Sequence, residues 1–448
     1  MASASTVTQP EAHPDTARDA PDAQSGTQGG DAGDAVDRAA AHPVDDLHVP
    51  AKPVRVVTAA SLFDGHDASI NVMRRILQSQ GAEVIHLGHN RSVDDVVGAA
   101  IDEDAHAVAV SSYQGGHVEY FRYLVDRLRE EGRGDIRVYG GGGGVIVPAE
   151  IEALHAAGVA RIFSPEDGQR MGLAVMVNTI IREGDPSNRG EGAVEGPTAE
   201  EILAGDRRAL ARYITLLEDG DESAGLKSAL ADAAEGRRAP VLGITGTGGS
   251  GKSSLTDELL RRFRLDHRGR LRVAVLAVDP TRRRSGGALL GDRIRMNALS
   301  HESVFMRSLA TRGTISEVPA YLPDVVAACR ATHDLVIVET PGIGQGDTGV
   351  VALSDVSLYV ITPEFGAPSQ LEKIDMLDFA DTVAINKFER RGAEDALRDV
   401  RRQLQRNRLE FSSRPEAMPV FWTVASPYDD DVVTALYQNL LSQLRLHG

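Results

Sequence analysis

From Val54 onward, short apolar, β-branched runs alternate with segments whose apolar positions recur every three or four residues. The runs "VRVVTAA", "EVIHLG", "AVAVSS", "IRVYGG" and "ARIFS" predict strands. Helical spacing predicts helices over about 67–80, 93–102, 117–131, 149–157 and 167–183. Strands that alternate with helices imply an α/β fold, a doubly wound parallel sheet of the flavodoxin (Rossmann-type) kind, with its ligand over the C-terminal ends of the strands. Residues 184–197, "GDPSNRGEGAVEGP", read as a linker. Helices over about 198–217 and 222–235 follow, and a second α/β series opens at "APVLGITG" and runs to the end without an internal repeat. Residues 1–50 lack periodicity and carry nine acids against two bases, so a disordered acidic tail is expected there. The expected division is a tail (1–50), a first α/β domain (51–183), the linker (184–197) and a second α/β domain (198–448).

Composition narrows the partners. A chain of 448 residues should divide into two or three domains. Its net charge of −17 argues against nucleic acid, which is held through an excess of Lys and Arg. Cys329 is the only cysteine, so neither an intrachain disulfide nor a Cys-rich zinc site can form, and a reducing, cytoplasmic setting is expected. No apolar run of about 18 residues and no leader pattern suggests a membrane.

The most specific motif is "GTGGSGKS", Gly246 to Ser253, which satisfies G-x-x-x-x-G-K-[ST] between a strand-like run and a helix-like one. Glycines such as Gly246 and Gly251 let backbone N–H groups, including those of Lys252, Ser253 and Ser254, turn toward phosphates. The Lys252 ammonium meets the terminal phosphates, and the Ser253 hydroxyl is available to Mg²⁺. Asp279 and Glu339 each end an apolar strand where a magnesium ion or its waters would lie, and Asp292 is a further candidate for that shell. "NKFE" places Asn386 and Lys387 as in the N-K-x-D loop that reads guanine, with Glu389 in place of the aspartate. GTP or GDP with Mg²⁺ is therefore the expected ligand, with Lys252, Glu339 and Asp279 as catalytic candidates. Gln345 is considered for orienting water, and Arg282 to Arg284 read as a solvated or partner-facing surface.

In the first series, "AASLFDGHDASIN" sets Asp64, His66 and Asp67 directly after a strand. Such a histidine can be a metal ligand, a general base or a polar turn. His86 and His89 lie at another strand end.

The blocks "GITGTGGSGKSSLTDELLRRF", "AVDPTRRRSGGALLGDRIRM", "ETPGIGQ" and "NKFE" resemble the MeaB-like metallochaperone GTPases that serve adenosylcobalamin-dependent acyl-CoA mutases. This resemblance implies a P-loop NTPase α/β domain of the SIMIBI type. "DGHD", "SSYQGGH" and "YGGGGGVIVP" resemble the cobalamin-binding domain of those mutases, with its D-x-H-x-x-G, S-x-L and G-G pattern. That resemblance implies His66 as lower axial ligand of cobalt, Asp64 as its hydrogen-bond partner and Ser111 against the displaced base. It also implies that Gly143 and Gly144 lie beside the nucleotide tail. Ser69 stands where the pattern has glycine and Tyr113 where it has leucine. The order of the two parts is similar to that of the fused isobutyryl-CoA mutases, which implies an acyl-CoA-binding (β/α)₈ barrel as partner, in cis or in trans, and a homo-oligomeric full enzyme. Two readings stay open: the adenosylcobalamin-binding, GTP-hydrolysing portion of such a mutase without its barrel, and a stand-alone GTP-driven cobalamin carrier or sensor. A P-loop ATPase beside a generic flavodoxin-like domain is a third.

Overall fold

The computed structural model describes residues 47–66, 68–188, 196–221, 223–312, 318–342, 347–366, 368–424 and 431–446. The first series runs β1 (Arg55–Ser61), α1 (Ala68–Ser79), β2 (Glu83–Arg91), α2 (Val93–Asp102), β3 (Ala107–Ser111), α3 (His117–Glu130), β4 (Arg137–Gly141), α4 (Pro148–Ala157), β5 (Arg161–Phe163) and α5 (Pro165–Gly184). Next come three helices, α6 (Ala199–Leu203), α7 (Arg207–Asp219) and α8 (Ala224–Arg237). The second series is β6 (Val241–Gly246), α9 (Lys252–Asp266), β7 (Val273–Asp279), β8 (Ala288–Leu290), β9 (Val304–Ala310), α10 (Leu322–Thr332), β10 (Leu335–Glu339) and β11 (Val356–Ile361). It closes with α11 (Pro368–Leu371), α12 (Met376–Phe379), β12 (Thr382–Asn386), α13 (Ala393–Asn407), β13 (Val420–Thr423) and α14 (Asp431–Leu444).

Two sheets result, ordered β5-β4-β3-β1-β2-β8 and β13-β12-β11-β6-β10-β7-β9, with every named strand pair parallel. Neither is closed into a barrel. Central strands such as β1 and β6 are buried along their whole length, because helices cover both faces, and this is why they read as continuous apolar runs. Strand reversal beside β1 is the switch point at which a doubly wound sheet opens a crevice.

Three features depart from the pattern reading. The helix expected over 198–217 is two helices, because Gly205 takes φ +91° and the Asp206 side chain accepts from Arg208 N and Ala209 N, capping α7. The expected tail reaches residue 50, yet His48 is anchored: its N–H donates to Asn178 Oδ1, and its Nε2 lies 2.9 Å from Asp185 Oδ2. The rest of that tail, residues 1–46, falls outside the described residues.

The third departure is β8. It belongs to the second series but pairs with β2 of the first sheet, in the register Glu83↔Ala288, Val84↔Leu289 and Ile85↔Leu290. Both sheets lie in one compact unit, Pro43–Gly448. Buried charge fills the seam between them. Arg55 on β1 meets Glu83 (2.9 Å), Glu103 (2.7 Å) and Glu218 of α7 (3.2 Å), and Arg293 reaches Glu103 at 3.2 Å. Arg307 of β9 also pairs with Glu218. Burying this many charges is tolerable only because each has an opposite partner.

Candidate functional site

The first sheet ends in a loop that commits Asp64 to two neighbours. Asp64 is 1% exposed. Its Oδ1 accepts the His66 backbone N–H at 2.8 Å and lies 3.0 Å from His66 Nδ1, while its Oδ2 accepts the Tyr113 backbone N–H. A carboxylate against Nδ1 favours the tautomer that leaves the Nε2 lone pair available, and the imidazole side chain is 78% exposed. Asp67 lies outside the described residues.

Beside this histidine opens a mainly apolar cavity of about 450 Å³, bounded by α1, the ends of β3 and β4, and α5. Ser111 lines it, and its buried Oγ has no hydrogen-bond partner. An orphaned hydroxyl in an apolar cavity is costly unless a ligand satisfies it. Gly140 to Gly143 form one wall. A Cβ on Gly142 would collide with the Ser112 carbonyl oxygen, and Gly143 has φ +57°. Gly144, expected beside the tail, is not in that wall and has open space around its Cβ position. His86 sits within the sheet, with Nδ1 3.0 Å from Thr58 Oγ1, and His89 is exposed at the end of β2.

The second constellation lies where β6, β7 and β10 end side by side. Lys252 opens α9 after Gly251 (φ +88°), and its Nζ donates to the carbonyls of Gly246 (2.9 Å), Thr247 (3.3 Å) and Pro341 (3.4 Å). Glu339 is 2% exposed and accepts from Ser253 Oγ at Oε1 and from Thr256 Oγ1 at Oε2, both at 2.8 Å. Asp279 accepts the Gly291 N–H at 3.2 Å, so it holds the segment that follows β8. Asn386 Nδ2 donates to Ser250 O at 2.8 Å, and Lys387 Nζ donates to Gly249 O at 2.7 Å from a left-handed backbone, φ +59°. These two bonds bind the end of β12 and the first residue after it to the phosphate loop. Ser254 and Glu389 are exposed. Nothing is described of the Asp292 side chain or of Gln345, and Arg282 to Arg284 are exposed.

Two participants were not read from the sequence. Thr256 lies three residues after Ser253 on α9, a helical neighbour that spacing could have shown. Thr423 donates to Asn386 Oδ1 at 3.1 Å, but only the pairing of β12 with β13 brings the two together. Cys329, the single cysteine, is buried, and burial pushes its thiol up to about 12, so it is no nucleophile.

Comparison with known proteins matches both parts of the chain. Residues 54–172 fit the B12 binding domain, and residues 210–431 fit the methylmalonyl-CoA mutase-associated GTPase MeaB. A fused isobutyryl-CoA mutase of Nocardia farcinica is 65% identical over 403 residues, 90% of this chain and 37% of that protein. One from Cupriavidus metallidurans is 64% identical over 400 residues, 89% of this chain and 36% of that protein. Over nearly its whole length the chain is similar to fused isobutyryl-CoA mutases. It spans just over a third of the length of those relatives. Its second part alone is 37% identical over 229 residues to a Pyrococcus abyssi protein named as a GTPase, covering 51% of this chain and 69% of that one. The chain belongs to that GTPase family and joins to it a B12 binding domain, residues 54–172. Among the described residues, no helix is long and apolar enough to cross a membrane.

Proposed function

We propose that the chain is the cofactor-handling portion of a cytoplasmic, adenosylcobalamin-dependent isobutyryl-CoA/n-butyryl-CoA mutase. It binds adenosylcobalamin through the first sheet and hydrolyses GTP at the second. The observation that carries this reading is the paired geometry of Asp64 and His66 beside the Ser111 cavity. His66 presents an exposed imidazole whose other nitrogen faces Asp64, the arrangement that fixes the tautomer and raises the donor strength of a metal ligand. The orphaned Ser111 Oγ suits an acceptor on the displaced base of the cofactor. When bound, adenosylcobalamin supplies the carbon-centred radical by homolysis of its cobalt–carbon bond. What this chain supplies is capture, orientation and an apolar enclosure for the tail.

At the second site, Lys252, Ser253, Asp279 and Glu339 are the side chains for a Mg²⁺–GTP complex. Among the described residues no three His, Cys, Asp or Glu groups converge as a ready-made metal cage, which suits an ion that takes several of its oxygens from phosphates and water. Lys252, now bonded to loop carbonyls, would exchange them for phosphate oxygens. Asn386 and Glu389 suit guanine. Nucleotide-dependent movement near Asp279 would act on cofactor loading, because the same segment supplies β8 to the B12-binding sheet. Isomerisation of acyl-CoA needs an acyl-CoA-binding barrel, joined in cis or docked in trans, and the complete enzyme would be a homo-oligomer.

Titration of adenosylcobalamin with the chain and with His66→Ala, read by absorption, tests the proposal. The expected result is a base-off, histidine-on spectrum that only the parent gives. An unchanged base-on spectrum for the parent at saturating protein would overturn it.

A further inference from the structure

The two positions at which this chain leaves the short cobalamin-binding pattern touch each other. Ser69 replaces the glycine and Tyr113 the leucine, and Ser69 Oγ lies 2.7 Å from Tyr113 Oη although they are far apart in sequence. Ser69 is in the first turn of α1, two residues before Asn71 and directly after the loop that carries His66. Tyr113 follows β3, two residues beyond Ser111. Both line the cavity.

Tyr113 also holds the cobalt-ligand candidates from its other end. Its backbone N–H donates to Asp64 Oδ2, the oxygen of that carboxylate not directed at His66. Its ring lies against the imidazole, with centroids 5.8 Å apart and planes at 47°. Its far edge is close to the glycine wall: a Cβ on Gly143 would lie 3.1 Å from Tyr113 Cε1. The residue is therefore fixed at its backbone by Asp64, at its ring by His66 and Gly143, and at its hydroxyl by Ser69.

From this arrangement we infer that Tyr113 is a positioning residue for His66, and that Ser69 locks it in place. The inference rests on the cobalamin reading above. An exposed imidazole held only at Nδ1 can still swing about its side-chain torsions, and each ordered rotor costs binding free energy. A ring packed on one flank removes part of that freedom before the cofactor arrives. The ring can do so only if its own torsions are fixed, which is the part played by the hydroxyl bond to Ser69. Glycine at 69 would take the half-buried phenol's partner away, and leucine at 113 would do the same to the serine, each losing the net worth of that hydrogen bond. The two departures therefore form one device that works only when both are present.

A double-mutant cycle on the intact chain tests this, using Tyr113→Phe, Ser69→Gly and the double variant. Circular dichroism confirms the fold of each, and adenosylcobalamin binding is followed by absorption. Nitrogen hyperfine structure from the imidazole, in the electron paramagnetic resonance spectrum of bound cob(II)alamin, reports histidine ligation independently of any activity. Loss of a single net hydrogen bond predicts that each single substitution weakens the apparent Kd about 3- to 10-fold. The double variant should be no weaker than the weaker single, since both remove the same bond. Tyr113→Leu, which also deletes the ring, should bind more weakly still and shift part of the bound cofactor from histidine-on to ligand-free base-off. Folded variants with parental Kd and parental hyperfine signal would overturn the inference while leaving the cobalamin reading intact. Singles whose effects multiply in the double would overturn it as well. A parent that never shows the histidine-on form would overturn the cobalamin reading, and the positioning role with it.

Discussion

Arg55 and Glu218 face each other across the seam between the two sheets, 3.2 Å apart, with neither side chain exposed. Arg55 also serves Glu83 and Glu103, and Glu218 also pairs with Arg307, so a single deletion strands several buried charges. Arg55→Met is expected to cost about 3–5 kcal/mol in urea unfolding, as for a buried pair that loses one partner. Burial alone would raise the pKa of Glu218, but Arg307, Arg55 and Arg312 hold it below the ordinary carboxylate value. Its stabilisation is therefore complete above about pH 4.3 and is lost as the pH falls further. Both sheets should unfold together in acid, which circular dichroism against pH would show.

His333 should set a second, milder pH dependence. Burial pushes its pKa down to about 4, against about 6.5 for a free imidazole. The unfolded chain binds that proton first, so the contribution is whole above about pH 6.5 and fades as the pH drops toward 4. Thermal midpoints recorded across that window should fall for the parent and fall less for His333→Gln.

Glu339 ties two hydroxyls on one face of α9, those of Ser253 and Thr256. Converting it to Gln removes the charge and turns one of its acceptors into a donor. The Mg²⁺ concentration for half-maximal GTP hydrolysis should rise about 10- to 100-fold in Glu339→Gln, the usual range when a metal site loses a supporting group. A magnesium titration of phosphate release would measure this.

Asn386 at the end of β12 and Glu389 in the loop after it predict different losses. Asn386 is buried and braces the phosphate loop through Ser250, so Asn386→Ala should weaken every nucleoside triphosphate, by about 5- to 150-fold for 1–3 kcal/mol. Glu389 is exposed and contacts only the base in the proposed complex, so Glu389→Ala should weaken GTP while leaving ATP unchanged. Competition binding with fluorescent GTP and ATP analogues separates the two.

How far such sites can be read from a sequence depends on the range of the contact. The strands of the first sheet and the phosphate loop were legible because their signals are local: apolar runs, glycines at fixed offsets, a lysine opening a helix. The break between α6 and α7 was also local, written in Gly205 and Asp206, yet helical spacing on both sides masked it. Other features have no local signal at all. "ALL" at 288–290 is a strand only because the edge of β2 is beside it, Thr423 reaches Asn386 through strand pairing, and Ser69 finds Tyr113 across the mouth of a cavity. Asp64 and His66 were legible as a motif, whereas the orphaned hydroxyl of Ser111 could be seen only in three dimensions.

Strand β8 also governs which pieces of the chain can be separated. It is three residues long and covers one side of β2, whose other side is already paired with β1. A fragment ending after α5 would leave the longest strand of the first sheet with a bare row of N–H and C=O groups, a template for pairing with a second molecule. The B12-binding sheet thus borrows its protection against self-association from the GTPase, and the two halves should stay soluble together more readily than apart.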